Sequence, residues 1–257
     1  MKRASISTLT IAMAASLFAA PVMAQDVTSI TATFANRTPT GTGAPVIDNS
    51  NGDGSIRVCW PGGTNSSNSN CNTLPTSSDH SGYLFSTAGV PISPVSGSPF
   101  ALGTFTHFNR PIVGTSLNTV DLMLGFTIAG AAPSTFNDSW TLTHEETPNS
   151  GTCAYPGGAK CADRVTFALT SGSAPTAFEF NGLLYQLTLL GFGDTAQEAA
   201  LDPSFITKEN FVNTTTLWAQ IERADDPTDV VPEPATMTLL ATGLVGMAAA
   251  RRRRRGN

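Results

Sequence analysis

Charged side chains are scarce in this sequence, at 13% of residues against about 25% in typical soluble domains. Long surface helices need Glu, Lys and Arg on their solvent face, so the shortage argues against a helical protein. Gly (23 residues) and Pro (17 residues) are plentiful instead, as expected for short strands joined by turns. The composition therefore favours an all-β fold.

Basic residues are rarest between the two ends of the chain. Seven of the fourteen Lys and Arg residues are Lys2, Arg3 and the five arginines at 251–255. The intervening body, residues 25–229, has 7 basic and 18 acidic residues, a net charge of −11. Contacts to phosphate groups depend on Lys and Arg, so we expect neither nucleic acid nor an anionic lipid surface as a partner of the body.

Motifs of catalysis are missing as well. The sequence has no Gly-x-Ser-x-Gly elbow, no P-loop and no His-Glu-x-x-His, so it offers no nucleophile, nucleotide or zinc-protease signature. We predict a protein that is not an enzyme and that needs no cofactor. A glycan-modifying hydrolase is the least favoured alternative. Its paired carboxylates follow no fixed spacing, so they cannot be recognised from one sequence.

The amino-terminal end has the order of a secretory signal peptide. Lys2 and Arg3 precede an apolar run over residues 11–20, and small residues stand at the −3 and −1 positions before a cleavage site between Ala24 and Gln25. An uncleaved membrane anchor is the alternative, but it needs a longer apolar stretch. We expect signal peptidase to remove residues 1–24 during export through the inner membrane.

The carboxy-terminal end combines three features in order. Pro232, Glu233 and Pro234 precede an apolar segment at 235–250, and five basic residues follow it: Arg251, Arg252, Arg253, Arg254 and Arg255. Sixteen helical residues span about 24 Å, short of the ~30 Å hydrocarbon core. We predict a single short transmembrane helix that contacts the membrane only transiently, with its arginines on the cytoplasmic side.

These three features resemble the PEP-CTERM sorting tail, which we place at residues 230–257. The resemblance implies processing by an exosortase-type transpeptidase in a Gram-negative bacterium that makes extracellular polysaccharide. It also implies that the mature protein resides at the cell surface or in the extracellular matrix. A plain tail anchor is the alternative.

Apolar residues alternate along several segments of the body, as they do in half-buried strands. The longest such face joins Val120, Leu122, Leu124, Phe126 and Ile128. Similar faces occur in other segments: Ile30/Ala32/Phe34, Ile56/Val58/Trp60, Trp140/Leu142/His144, Val165/Phe167/Leu169, Tyr185/Leu187/Leu189 and Leu217/Ala219/Ile221. We predict one antiparallel β-sandwich domain of jelly-roll type over residues 25–229, with a short helix only at 194–201.

Four stretches of the body resemble the choice-of-anchor K domain family. They are residues 102–112 (LGTFTHFNRPI), 144–149 (HEETPN), 162–167 (ADRVTF) and 185–192 (YQLTLLGF). That family is defined by its coupling to surface anchors, so the resemblance implies an architecture and no catalytic residues.

Cys59, Cys71, Cys153 and Cys161 are the only cysteines. An even number in an exported chain favours disulfides, and four cysteines allow three connectivities. We predict the local pairs Cys59–Cys71 and Cys153–Cys161, which would close polar, turn-rich loops. A four-cysteine zinc site is the alternative, although it lacks closely spaced pairs.

Two further groups of residues have a binding and a structural interpretation. Asn49, Asn51 and Asp53 have the spacing of a calcium loop, but the loop ends in Trp60 where a Glu is needed, and a β-turn explains them equally well. His144 alternates with Trp140 and Leu142, so we expect a buried, hydrogen-bonded histidine rather than a metal ligand or a base. We expect His107 to tie a strand end to its neighbour.

The leading functional hypothesis is a non-enzymatic surface or matrix protein. The alternative is a lectin-like module that binds exopolysaccharide, since aromatic faces recognise sugars at low entropy cost. Trp60, Tyr83, Tyr155 and Trp218 fall in turns or on strand faces that can be exposed. Trp218 is the preferred glycan contact, because Leu217, Ala219 and Ile221 take the opposite face.

Overall fold

The computed structural model describes residues 26–224, except for 42, 51–52, 62–70, 72–79, 95, 112–113, 150, 158–159, 171–173 and 203. Two antiparallel sheets account for the fold, which is all-β as predicted. The predicted signal peptide with its cleavage site at Ala24 and Gln25, residues 225–229 and the entire sorting tail lie outside the described residues.

The smaller sheet has five strands in the order β1-β6-β7-β8-β11. Their bounds are β1 Val27–Thr38, β6 Thr119–Ile128, β7 Thr135–Glu145, β8 Asp163–Leu169 and β11 Phe205–Thr207. The larger sheet has seven strands in the order β2-β3-β4-β5-β12-β10-β9. Their bounds are β2 Val46–Asp48, β3 Ile56–Pro61, β4 His80–Thr87, β5 Pro99–Phe108, β9 Ala177–Phe180, β10 Leu183–Gly193 and β12 Val212–Arg223.

The core lies between the two sheets, and the predicted alternation supplies it. Every member of the Val120 to Ile128 face is buried on β6, and Leu217, Ala219 and Ile221 are buried on β12. Aromatic rings meet across the sheets, with Phe136 of β7 stacked on Phe178 of β9 at 5.2 Å between ring centroids. Such ring pairs add about 0.5–1.5 kcal/mol to the free energy of burial.

Strand β3 departs from simple alternation because all six of its residues are buried. Ile56, Val58 and Trp60 face the main core. Cys59, on the opposite face, forms a second apolar cluster with Cys71 and Phe108. The cystine therefore covers the outer face of this part of the sheet.

The short helix α1, Ala196–Leu201, lies within the predicted range. Thr195 caps it: its hydroxyl accepts a hydrogen bond from the Glu198 N–H, and the Glu198 carboxylate accepts one from the Thr195 N–H. This reciprocal capping box satisfies two amide donors that a helix start leaves free. None of the helices in the described part of the chain is long and apolar enough to cross a membrane.

Candidate functional site

One end of the sandwich interior is polar. Inward-facing residues of strands from both sheets meet there with residues of the segments that follow β7 and β11. We call the following residues the polar cluster: Tyr83, His107, His144, Glu146, Asp163, Thr207 and Glu209. Six of the seven are at most 6% exposed, and the seventh, Glu146, has a side chain that is 24% exposed.

Strand alternation accounts for the two histidines. His144 ends the inward face of β7 that begins with Phe136 and continues through Trp140 and Leu142. His107 follows Phe105 by two residues on β5, so it too points into the core. The two imidazoles lie edge to face at 5.2 Å between centroids, and the Trp60 indole packs on both.

Each histidine joins the two sheets by a hydrogen bond. The Tyr83 hydroxyl on β4 lies 2.6 Å from His144 Nδ1 on β7. His107 Nδ1 on β5 lies 2.8 Å from Thr207 Oγ1 on β11. The buried, hydrogen-bonded histidine predicted at 144 is therefore present. His107 does form a hydrogen bond, but across the core rather than to a neighbouring strand of its own sheet, because its side chain points inward.

His144 also reaches a carboxylate. Its Nε2 is 3.1 Å from Glu146 Oε2, so Nε2–H donates to Glu146 and Nδ1 accepts from Tyr83. Burial lowers the pKa of His144 to about 4. The contact between His144 and Glu146 is therefore a hydrogen bond from a neutral imidazole at neutral pH, not an ion pair.

Asp163 is held beneath His144 by the segment that follows β7. One carboxylate oxygen, Oδ1, accepts hydrogen bonds from the Thr147 N–H at 2.8 Å and from the Thr147 hydroxyl at 3.1 Å. The other oxygen, Oδ2, is buried without a partner. Burial and the nearby Glu146 charge raise the pKa of Asp163.

Glu209 is the least satisfied residue of the cluster. It lies between β11 and β12, is 4% exposed, and has no hydrogen-bond partner for either carboxylate oxygen. Burial, followed by the charges of Asp163 and Glu146, raises the pKa of Glu209 to about 7, although Lys160 and Arg110 oppose that shift. Burial likewise raises the pKa of Glu146 to about 7.

The cluster offers metal-ligand atoms in a small space. One ligand atom each from His144, Glu146 and Asp163 lies within 4.8 Å of the other two. A glycan hydrolase would instead need its carboxylates in a groove open to a polymer, whereas Asp163 is 0% exposed. The arrangement suits a small ion better than a saccharide chain.

The structure contains both predicted disulfides. Cys59 and Cys71 have Cα atoms 5.6 Å apart, and those of Cys153 and Cys161 are 4.9 Å apart. The second bond lies just before Asp163, on the segment that carries Thr147. It therefore braces the segment that holds one side of the polar cluster.

The two described residues of the candidate calcium loop have other partners. The Asn49 side chain both accepts from and donates to the backbone of Phe34. Asp53 bonds Ser55 and pairs with Arg57. Asn51 lies outside the described residues, so calcium binding at this loop remains an untested alternative to the predicted β-turn.

Of the four aromatic residues proposed as exposed, two are fully buried. Trp60 and Tyr83 are 0% exposed, which corrects the sequence interpretation: Trp60 shares the core face of Ile56 and Val58, and Tyr83 faces the histidines. Tyr155 is half-buried beneath the Arg164 guanidinium. Trp218 is half-buried on the outer face as predicted, and its indole N–H donates to the Gly193 carbonyl at 3.0 Å.

Sequence reasoning missed Glu146, Asp163 and Glu209 as a group. Glu146 follows the end of β7 and Asp163 begins β8, so a carboxylate at the border of an alternating strand was the available signal. Glu209 carries no such signal, because it stands in an ordinary Lys-Glu-Asn turn.

The described residues thus form a disulfide-braced antiparallel β-sandwich, a class suited to an oxidising, extracytoplasmic environment. Residues 230–255 match the family described as the PEP-CTERM protein-sorting motif. This motif indicates an exported protein that an exosortase sorts to the cell surface. No curated protein matches the chain.

Proposed function

We propose that this chain is a non-catalytic structural protein of the cell surface or extracellular matrix of a Gram-negative bacterium, with a jelly-roll-like body related to choice-of-anchor K domains. The observation that carries the proposal is the sorting motif at 230–255 behind a disulfide-braced sandwich. Exopolysaccharide around the cell is the expected environment of the mature body.

The proposal is tested by the mass of the mature protein. We expect protein released from the cell surface to begin at Gln25 and to lack Arg251–Arg255, because signal peptidase and the exosortase act at the two ends. Intact-mass measurement with terminal peptide mapping checks both. A Glu233→Ala variant of the Pro-Glu-Pro motif should retain the arginines and accumulate in the membrane fraction. Surface protein that still carries all five arginines would contradict the proposal.

Binding of exopolysaccharide is the second candidate function, and the outer face of the larger sheet favours it. Trp218 lies there between Gly191 and Ala101 on the adjacent strands, so both of its cross-strand neighbours have small side chains. Thr216, two residues before Trp218, and Gln220, two residues after it, lie on the same face and offer polar groups to a sugar.

Titration of the exported protein with the producing organism's exopolysaccharide tests this second function. We expect saturable binding that Trp218→Ala weakens roughly tenfold, the loss of one aromatic contact of about 1.4 kcal/mol. The control is Tyr155→Ala, which removes a half-buried aromatic residue elsewhere. Equal binding by wild type and Trp218→Ala would remove the lectin interpretation.

A further inference from the structure

We propose that the polar cluster binds one divalent first-row transition-metal ion, Zn²⁺ by preference, through His144 Nε2 and the carboxylates of Glu146, Asp163 and Glu209. This site goes beyond the proposed surface function and does not depend on it. It also differs from the candidate calcium loop at Asn49, both in its residues and in its chemistry.

The ligand spacing supports the proposal. Zinc bonds to nitrogen and oxygen of about 2.0–2.2 Å place tetrahedral ligand atoms about 3.3 Å apart. His144 Nε2 and Glu146 Oε2 are already 3.1 Å apart. Asp163 brings the third ligand atom within 4.8 Å of both, so modest side-chain movement would complete three bonds.

Glu209 supplies an independent indication. A carboxylate that is 4% exposed and has no partner for either oxygen is costly to bury. Glu209 stands two residues beyond Thr207, which pairs with Asp163, so both carboxylates lie at the same end of the core. Asp163 Oδ2 is also buried without a partner. A cation among these oxygens would satisfy the unpartnered groups of both residues.

The mixture of ligands decides the type of ion. Ca²⁺ and Mg²⁺ take oxygen ligands, whereas imidazole nitrogen suits zinc and its first-row neighbours. A neutral imidazole is needed for bonding, and deep burial keeps His144 in that form. On metal binding the imidazole proton would move from Nε2 to Nδ1, the Tyr83 hydroxyl hydrogen would rotate away, and Nδ1–H would donate to Tyr83 Oη. Tyr83 would thereby fix the imidazole, as outer-shell partners of metal-bound histidines do.

Metal titration of the mature exported protein tests the site. After removal of bound metal with a chelator, calorimetry with ZnCl₂ should give one Zn²⁺ per chain, and the melting temperature should rise. MnCl₂ and CaCl₂ titrations run in parallel, and we expect Ca²⁺ to bind at least about tenfold more weakly than Zn²⁺. Stoichiometric binding of Ca²⁺ in preference to Zn²⁺ would overturn the proposal, as would no binding of Zn²⁺.

Two variants show where the ion binds. Glu209→Gln and Asp163→Asn should each weaken Zn²⁺ binding by at least about tenfold, the lower limit seen for loss of even an outer-shell partner. Metal-free Glu209→Gln should melt at or above the wild-type temperature, because it removes an unpartnered buried charge, and this separates lost binding from lost folding. The matched control is Glu145→Gln, whose carboxylate pairs with Arg164 at the surface and which should bind Zn²⁺ as wild type does. Wild-type affinity in Glu209→Gln would overturn the assignment of this ligand set.

Discussion

Around Phe136 the space between the sheets is filled by aromatic rings, whereas around His144 the Trp60 and Tyr83 rings meet imidazoles, hydroxyls and carboxylates. Both regions lie in one sandwich and involve the same strand, β7. At the aromatic end, burial itself stabilises the fold, at about 25 cal/mol per Å² of apolar surface. At the polar end, each unpartnered buried group costs about 1–3 kcal/mol. Apolar burial at the aromatic end stabilises the fold. The unpartnered buried groups at the polar end destabilise it, so their presence needs an explanation other than stability.

The largest expected effect comes from opening a cavity at the aromatic end. Phe136→Ala removes a ring that contacts Phe126 and Phe178, and we expect the free energy of unfolding to fall by about 3–5 kcal/mol. Phe211→Ala is the matched control, because Phe211 is 56% exposed, and it should change stability by less than about 0.5 kcal/mol. Chemical denaturation of both variants measures the difference. Equal losses would mean that the aromatic contacts do not stabilise this end.

A smaller effect is expected from removing one hydroxyl at the polar end. Tyr83→Phe keeps the ring but leaves His144 Nδ1 without its partner, so we expect a loss of about 1–3 kcal/mol. In the metal-loaded protein the same change should weaken Zn²⁺ binding about 10–100-fold.

Tyr155→Phe is the control for this substitution. Its hydroxyl bonds Glu145 at the surface at 3.1 Å, where water can replace it, so stability and Zn²⁺ affinity should stay near wild type. If Tyr83→Phe proves as mild as Tyr155→Phe, the polar end is not held by its hydrogen bonds, and the contrast between the two ends is weaker than we infer.

The two ends also differ in how far the sequence predicts them. Alternation identified the inward faces of β6 and β12, because successive side chains of a strand point to opposite faces and every second residue is therefore apolar. It also placed His144 in the core. The same rule, applied to Trp60, contradicts the expectation that this residue is exposed, since Ile56 and Val58 share its face.

The carboxylates of the polar cluster were beyond sequence reasoning for a different reason. Asp163 and Glu209 are 46 positions apart, and they come together only because β11 pairs with β8, which sets Thr207 opposite Asp163. Pairing between distant strands depends on the whole topology, not on local pattern. Alternation alone likewise does not predict that Cys59 is buried on the outer face, because its burial depends on the cover that Cys71 and Phe108 provide.

The two ends of the described part of the chain lie away from the polar cluster. Val27 bonds Ile92, and Ala224 bonds Leu184, both remote from His144. Strand β12 runs its 12 residues from the turn after Glu209 to Arg223, a length of about 40 Å at ~3.3 Å per residue. Glu209 and the polar cluster therefore lie a full strand length from Ala224, after which the chain continues to the sorting motif.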